Sequence, residues 1–216
     1  MKQHTSLNTL IVAAALTLGC TTIASAQSAN VAVPTPEQTA PAGLLGARYT
    51  EVSYNYIDLS GSNHADGFVA KFNQPLQANF DLTSSYSWAK ADFGAFDATV
   101  QDLDVGLTAY SALSWGRPYA AAAVGWQWAK AAGFREDSFV YKVGTGVEFQ
   151  VSPALTVTPF VNFVRATGFN SSEVEVGAKA SYRLNQEWSV TARAQYEFVR
   201  HDHNSAEYSV GVIFHF

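Results

Sequence analysis

Cysteine occurs once in these 216 residues, at Cys20, and methionine only at the initiating position. Charged residues are also scarce, at 14% with a net charge of -5, and no basic stripe runs along the chain. Nucleic-acid binding is excluded on that ground. Nor does any apolar run reach the roughly 20 residues that a membrane-spanning helix needs. The longest one, Leu10–Leu18, follows Lys2 and precedes Ala24-Ser25-Ala26. A basic start, a short apolar stretch and an A-x-A site make residues 1–26 a signal peptide, with a mature chain starting near Gln27. Its removal takes the one thiol with it, so disulfides, thiolate metal sites and cysteine nucleophiles drop out. Leu18-Gly19-Cys20 loosely resembles a lipoprotein acceptor, but Thr17 fits poorly there and the A-x-A site explains the same segment better.

What the chain does have is aromatic residues (13%), 15 glycines and a mean hydropathy near zero. That combination suits a β-protein whose polar and apolar residues are divided between two faces. Residues 27–45, with Pro34, Pro36 and Pro41 and no periodicity, are expected to form a flexible periplasmic tail. Residues 46–216 form the second unit. Ten strand-like segments follow one another there: Arg48–Leu59, Gly67–Asn73, Ala78–Lys90, Thr99–Leu113, Arg117–Lys130, Ser138–Val151, Ala154–Ala166, Ser172–Leu184, Glu187–Arg200 and Ala206–Phe216.

The alternation is a period of two, which places one set of side chains on each face. Trp188, Val190, Ala192, Ala194, Tyr196 and Phe198 oppose Ser189, Thr191, Arg193, Gln195 and Glu197. The apolar faces begin and end with Tyr, Trp or Phe, while the polar faces are rich in Gly and Ser with charges of both signs. A soluble barrel would reverse this, with apolar residues inside. Aromatic residues at both ends of an apolar band are what two membrane interfaces require. Lipid then demands closure, because an open sheet edge would leave backbone groups unpaired.

Asn73–Gln77, Ser114–Gly116, Ser152-Pro153 and Asn185-Gln186 read as tight turns on the periplasmic side. Ser60–Asp66, Ala91–Ala98, Ala131–Asp137, Thr167–Ser171 and His201–Ser205 read as longer extracellular loops. The fold expected is a closed antiparallel up-and-down transmembrane β-barrel of ten strands, with eight as the alternative.

Tyr208, Val210, Val212, Phe214 and the terminal Phe216 share one face of the last strand. This ending resembles the carboxyl-terminal signature that the barrel assembly machinery of Gram-negative bacteria reads. With the strand rhythm and turn placement, residues 46–216 resemble the small outer-membrane β-barrel domains of the porin-family, OmpX/Ail-like and OmpA-barrel type. The resemblance implies an outer-membrane location and outer-membrane lipid and lipopolysaccharide as partners. Its best-known members have eight strands. Ten strands resemble omptin proteases and certain adhesin barrels, whose long extracellular loops are missing here.

Inward positions carry Glu51, Lys71, Asp81, Asp102, Asp104, Lys142, Glu148, Glu175, Lys179, Arg183, Arg193 and Glu197. An isolated buried charge costs several kcal/mol, so these must be paired or hydrated. They form either an ion-pair network that fills a narrow lumen or the lining of a small polar conduit. Barrels of about eight strands are filled and open channels appear at 16–18, which favours the filled lumen; the lumen glycines support the conduit.

Catalytic readings are weaker. Asp102 and Asp104 share a strand face, but no Asp–His pair stands across the mouth as omptins require. His203 and Ser205 have the spacing of the His and Ser of lipid A deacylase barrels, yet they fall in a loop and the family's following residues are absent. Closure would bring His64 and Asp66 near His201 and His203, a set able to bind Zn²⁺ or Cu²⁺, though solvated loop residues are the plainer account. No enzyme activity, metal or cofactor is expected. Loop aromatics Phe93, Phe96, Phe134 and Phe169 either cap the upper aromatic girdle or contact a surface ligand of unknown identity. The function expected is an envelope role or limited passage of small polar solutes, with adhesion through the loop tips as the alternative.

Overall fold

The computed structural model describes residues 43–59, 63–94, 96–200 and 204–216. The expected signal peptide, most of the expected tail, His201 and His203 lie outside the described residues. Ten strands are present: β1 (Tyr49–Asp58), β2 (His64–Gln77), β3 (Phe80–Asp92), β4 (Asp97–Tyr110), β5 (Arg117–Ala131), β6 (Phe134–Gln150), β7 (Leu155–Ala166), β8 (Ser171–Arg183), β9 (Trp188–Val199) and β10 (Ser205–His215). Each pairs antiparallel with its sequence neighbours, and β1 pairs with β10, so the barrel closes without an edge. The eight-stranded alternative is thereby set aside.

Closure requires the strands to tilt, and the register shows by how much. The paired residues can be followed once round the wall from Gly146 in β6 through Phe160, Gly177, Gln195, Glu207, Ile57, Ala65, Ala91, Ala98 and Ala131. The circuit returns to β6 at Phe134, twelve residues from its start. A stagger slightly larger than the strand number goes with a tilt of roughly 40°.

The outer face is apolar. Among the described residues, 33 large hydrophobic side chains are more than a third exposed, Val52, Leu107, Val124, Val143, Val176 and Val210 among them. A water-soluble monomer seldom exposes apolar patches above a few hundred Å², so lipid is the solvent this wall requires. Trp115, Phe149, Trp188, Phe214 and Phe216 ring the end that holds the termini. Phe68, Trp126, Phe139, Tyr196 and Tyr208 ring the opposite, outer end.

Three expectations about the connections are corrected. Asn73–Gln77 is no turn: β2 continues through Pro75 to Gln77, and the register shifts between those two residues. Proline has no N–H to give the ladder, and an irregularity is where a strand tolerates one. The turn is at Ala78-Asn79, with Asn79 in the left-handed region at φ 68°. The Ala131–Asp137 loop shrinks to Ala132-Gly133, at φ 49° and 84°. Two consecutive positive φ values make the hairpin turn that matches strand twist. Arg135, Glu136 and Asp137 are polar because their strand rises above the apolar band. Ser205 opens β10 rather than lying in a loop.

Candidate functional site

The lumen is layered. At the outer end Ile57, Val100, Val140, Val164, Val199 and Phe169 are buried together with a ring of alanines. Phe93 and Phe96 stack on each other at 5.3 Å and pack against this cap. Three of the four loop aromatics therefore pack into the cap; Phe134 alone of the four is largely exposed, at 59%. For those three, packing against the barrel's inner cap replaces a place in the outer aromatic girdle.

At the terminal end the chain itself fills the opening. Leu44 and Leu45, expected as the last residues of a tail, are fully buried. Leu45 packs with Tyr110, Tyr119 and Phe160, and Leu44 with Tyr49 and Ile213. The Leu44 N–H donates to Glu148 Oε2 at 2.7 Å, and Arg117 donates to the Leu45 carbonyl at 3.2 Å. Arg117 and Glu148 are themselves an ion pair. The Ala47 N–H then reaches the Leu44 carbonyl at 3.3 Å, closing a turn with Gly46 at φ 86°. That position of a type II turn asks for glycine, and the turn delivers the chain into β1. Sequence patterning missed this plug because two leucines among Ala, Pro and Gly carry no periodicity.

Between cap and plug lies the charged layer. All the inward charges anticipated from the alternation are buried except Arg183, which is half-buried at the terminal end. Lys142 Nζ donates to Asp102 Oδ1 at 2.8 Å and Asp104 Oδ2 at 2.7 Å, and Ser85 Oγ adds a donor to Asp104 at 2.8 Å. Lys179 holds both oxygens of Glu51 at 2.7 and 2.6 Å, with Thr191 at 3.2 Å. Lys71 lies opposite Glu51 in the register. Arg193 lies 3.6 Å from Glu175 and 4.0 Å from Glu207, with its guanidinium 4.9 Å above the Phe160 ring.

Nine buried carboxylates face four buried cations among the described residues, so neutral donors complete the balance. Asn55 serves Glu207 at 2.7 Å, Asn162 serves Glu175 at 3.0 Å and Ser205 serves Glu197 at 2.5 Å. Gln195 spans Glu197 and Glu207 at 2.7 and 3.1 Å, and Asn73 reaches Asp81 at 3.2 Å. Charges cannot be left uncompensated in such a layer, and the arrangement reads as structural filling. Arg117, Glu173 and Glu207 belong to it and escaped the sequence reading. Glu173 and Glu207 are legible by parity, Glu173 lying two residues from Glu175 and Glu207 one residue from the outward Tyr208, whereas Arg117 stands at a strand start where parity says little.

The catalytic readings lose their geometry. Asp102 and Asp104 are both held by Lys142, and Ser205 donates to a carboxylate. A Ser–His contact does occur, between Ser189 and His215 at 2.8 Å. On its other side His215 Nδ1 faces the Arg183 guanidinium at 3.4 Å. Guanidinium only donates, so Nδ1 accepts, Nε2 carries the proton and the ring donates to Ser189; a general base needs the reverse. His64 lies 3.5 Å from Asp66 and stacks on Tyr56 at 5.5 Å. Among the described residues no three metal-ligating side chains gather.

At the carboxyl terminus, Tyr208, Val210, Val212, Phe214 and Phe216 all face outward. Phe216 stacks on Phe72 at 6.2 Å and on Phe214 at 5.8 Å, with Arg48 over its ring at 4.9 Å. Trp126 and Trp128 point outward with Val124, as the alternation requires.

No protein-family model matches the chain, and no curated protein matches it by sequence. Solved structures do resemble it. An outer-membrane channel from Pseudomonas putida F1 has a TM-score of 0.51 at 9% identity, over 85% of this chain and 100% of that one. The transport unit of the autotransporter AIDA-I from Escherichia coli has 0.49 at 13% identity, over 98% of both chains. The translocator domain of the autotransporter NalP from Neisseria meningitidis has 0.47 at 9% identity, over 78% of this chain and 88% of that one. In fold, the chain is a β-barrel closed from ten antiparallel strands, similar to the outer-membrane channel from Pseudomonas putida.

Proposed function

We propose that this is an exported, non-enzymatic barrel of the bacterial outer membrane, serving the envelope as a sealed structural element. One observation carries the reading: the lumen is closed twice, by the apolar cap around Phe169 and by the Leu44-Leu45 plug. Solute passage then requires displacing both, and the charged layer between them acts as filling rather than as a selectivity lining. The apolar wall suits outer-membrane lipid and lipopolysaccharide, and the face from Tyr208 to Phe216 suits recognition by the assembly machinery. A non-enzymatic role is supported by the donor direction at Ser189–His215 and by the Lys142 clamp on Asp102 and Asp104. Adhesion through the loop tips is weakened by their shortness and by the inward turn of Phe93, Phe96 and Phe169.

The test is conductance of the folded mature barrel in a planar bilayer, with folding verified by its shift in electrophoretic mobility on heating. A silent bilayer is expected. Steady discrete openings that change when Lys142 or Arg193 is replaced by Ala overturn the sealed-lumen reading.

A further inference from the structure

On the outer face, above the aromatic belt, register pairing makes one continuous row: Lys90 opposite Thr99, Thr99 opposite Lys130, and Lys130 opposite Arg135. Two residues down each strand come Trp88, Gln101, Trp128 and Asp137, and two further on Tyr86, Leu103, Trp126 and Phe139. Each such step is about 6.7 Å along the strand. Lys90 and Lys130 thus stand one step above interfacial tryptophans, and Arg135 stands two steps above Phe139 with Asp137 between them; such aromatics sit at the headgroup level of a bilayer.

Lys130 and Arg135 are both exposed and directly opposite on neighbouring strands. Like charges in that relation are unfavourable. Among the described residues neither has a carboxylate within ion-pair distance. The other cation of the row is satisfied: Lys90 Nζ lies 2.6 Å from Asp97. The carboxylate of Asp137, outward on the same strand as Arg135, accepts from Trp126 Nε1 at 3.1 Å. Below the two cations runs a groove of about 370 Å³, floored by Tyr86, Leu103 and Trp128 and edged by Gln101. The Tyr86 hydroxyl donates to Gln101 Oε1 at 3.4 Å, which leaves the Gln101 NH2 as a donor. A neighbouring groove of about 410 Å³ over β1–β3 carries Asp66 and Asp92 beside Lys90 and His64, and the two carboxylates oppose an anion there.

We propose that the β4–β6 facet binds the phosphate of an outer-leaflet lipid headgroup between Lys130 and Arg135, with the start of its acyl part on Leu103 and Trp128. Arginine's fork takes two phosphate oxygens and lysine supplies the second charge. This rests on the membrane reading above and names the lipid contact for it.

The experiment refolds the barrel into nanodiscs of neutral lipid and adds bis-phosphorylated or dephosphorylated lipid A, with retained lipid counted by native mass spectrometry. The wild type should retain the phosphorylated form, and Lys130→Ala/Arg135→Ala should lower its apparent affinity at least about tenfold. Arg165→Ala/Arg200→Ala, which removes the same charge elsewhere on the rim, should leave it unchanged. Equal retention of the dephosphorylated lipid, or an equal loss in both double variants, overturns the proposal. Displacement of the bound lipid by inorganic phosphate at low millimolar concentration reassigns the pair to a free anion and overturns the lipid assignment. Heat-modifiable mobility in every variant shows that the barrel entered the bilayer; its absence even in the wild type counts against the membrane reading instead.

Discussion

Replacing Lys142 with Met tests the claim that the lumen charges are a structural filling. Lys142 is 3% exposed and contacts Asp102 and Asp104 at 2.8 and 2.7 Å; Asp102 is fully buried and Asp104 nearly so. Met keeps the packing volume and removes the charge, so two carboxylates stay behind, with the Ser85 hydroxyl still donating to Asp104. Breaking a buried pair from one side costs about 3–5 kcal/mol, which moves the unfolding equilibrium by roughly two to four orders of magnitude. A reference is available on the same molecule. Lys90–Asp97 is as short, at 2.6 Å, but its side chains are 44% and 54% exposed, and such pairs contribute about 0–1 kcal/mol. Urea unfolding in lipid vesicles, followed by tryptophan fluorescence, should place Lys142→Met well below Lys90→Met. Adding Asp102→Asn and Asp104→Asn to Lys142→Met should recover most of the loss, because no unpaired charge then remains. If Lys142→Met and Lys90→Met cost the same within about 1 kcal/mol, the layer is hydrated and the filling argument fails.

On the sealed-lumen proposal the two closures act independently, so either one alone should keep the bilayer silent. Conductance should appear when removal of residues 43–45 is combined with Val140→Gly and Val164→Gly in the cap; openings after either change alone would show that only one seal matters. Those openings should favour cations, since carboxylates outnumber buried basic residues in the lumen; reversal potentials in a salt gradient report it, and anion preference would contradict the count. Deleting Phe216 should slow assembly in cells while leaving unassisted refolding nearly unchanged, because its ring contacts Phe72, Phe214 and Arg48 on the outer face rather than the lumen. Comparing membrane yield with refolding yield checks this, and an equal drop in both would assign Phe216 to stability.

Strand number, closure and the inward set from Glu51 to Glu197 were all legible from a period of two, because lipid outside and charge inside force opposite chemistry onto alternate residues. The face ending at Phe216 was legible for the same reason. Strand ends were less so: Pro75 looked like a turn, and Arg135–Asp137 looked like a loop. Polarity there reflects height above the bilayer rather than loss of pairing.

The chain by itself therefore determined a membrane barrel and which side chains fill it, since parity is a local property of the backbone. Only the tertiary structure decided what those side chains do. The Lys142 clamp joins residues 38 and 40 positions apart, the Leu44–Glu148 bond spans 104, and the Lys179–Glu51 pair spans 128. Those distances collapse only when a stagger of twelve residues tilts the wall and brings opposite strands across one narrow lumen. The same closure gathers Phe93, Phe96 and Phe169 into a cap, whereas Lys130 meets Arg135 through the local hairpin at Ala132-Gly133.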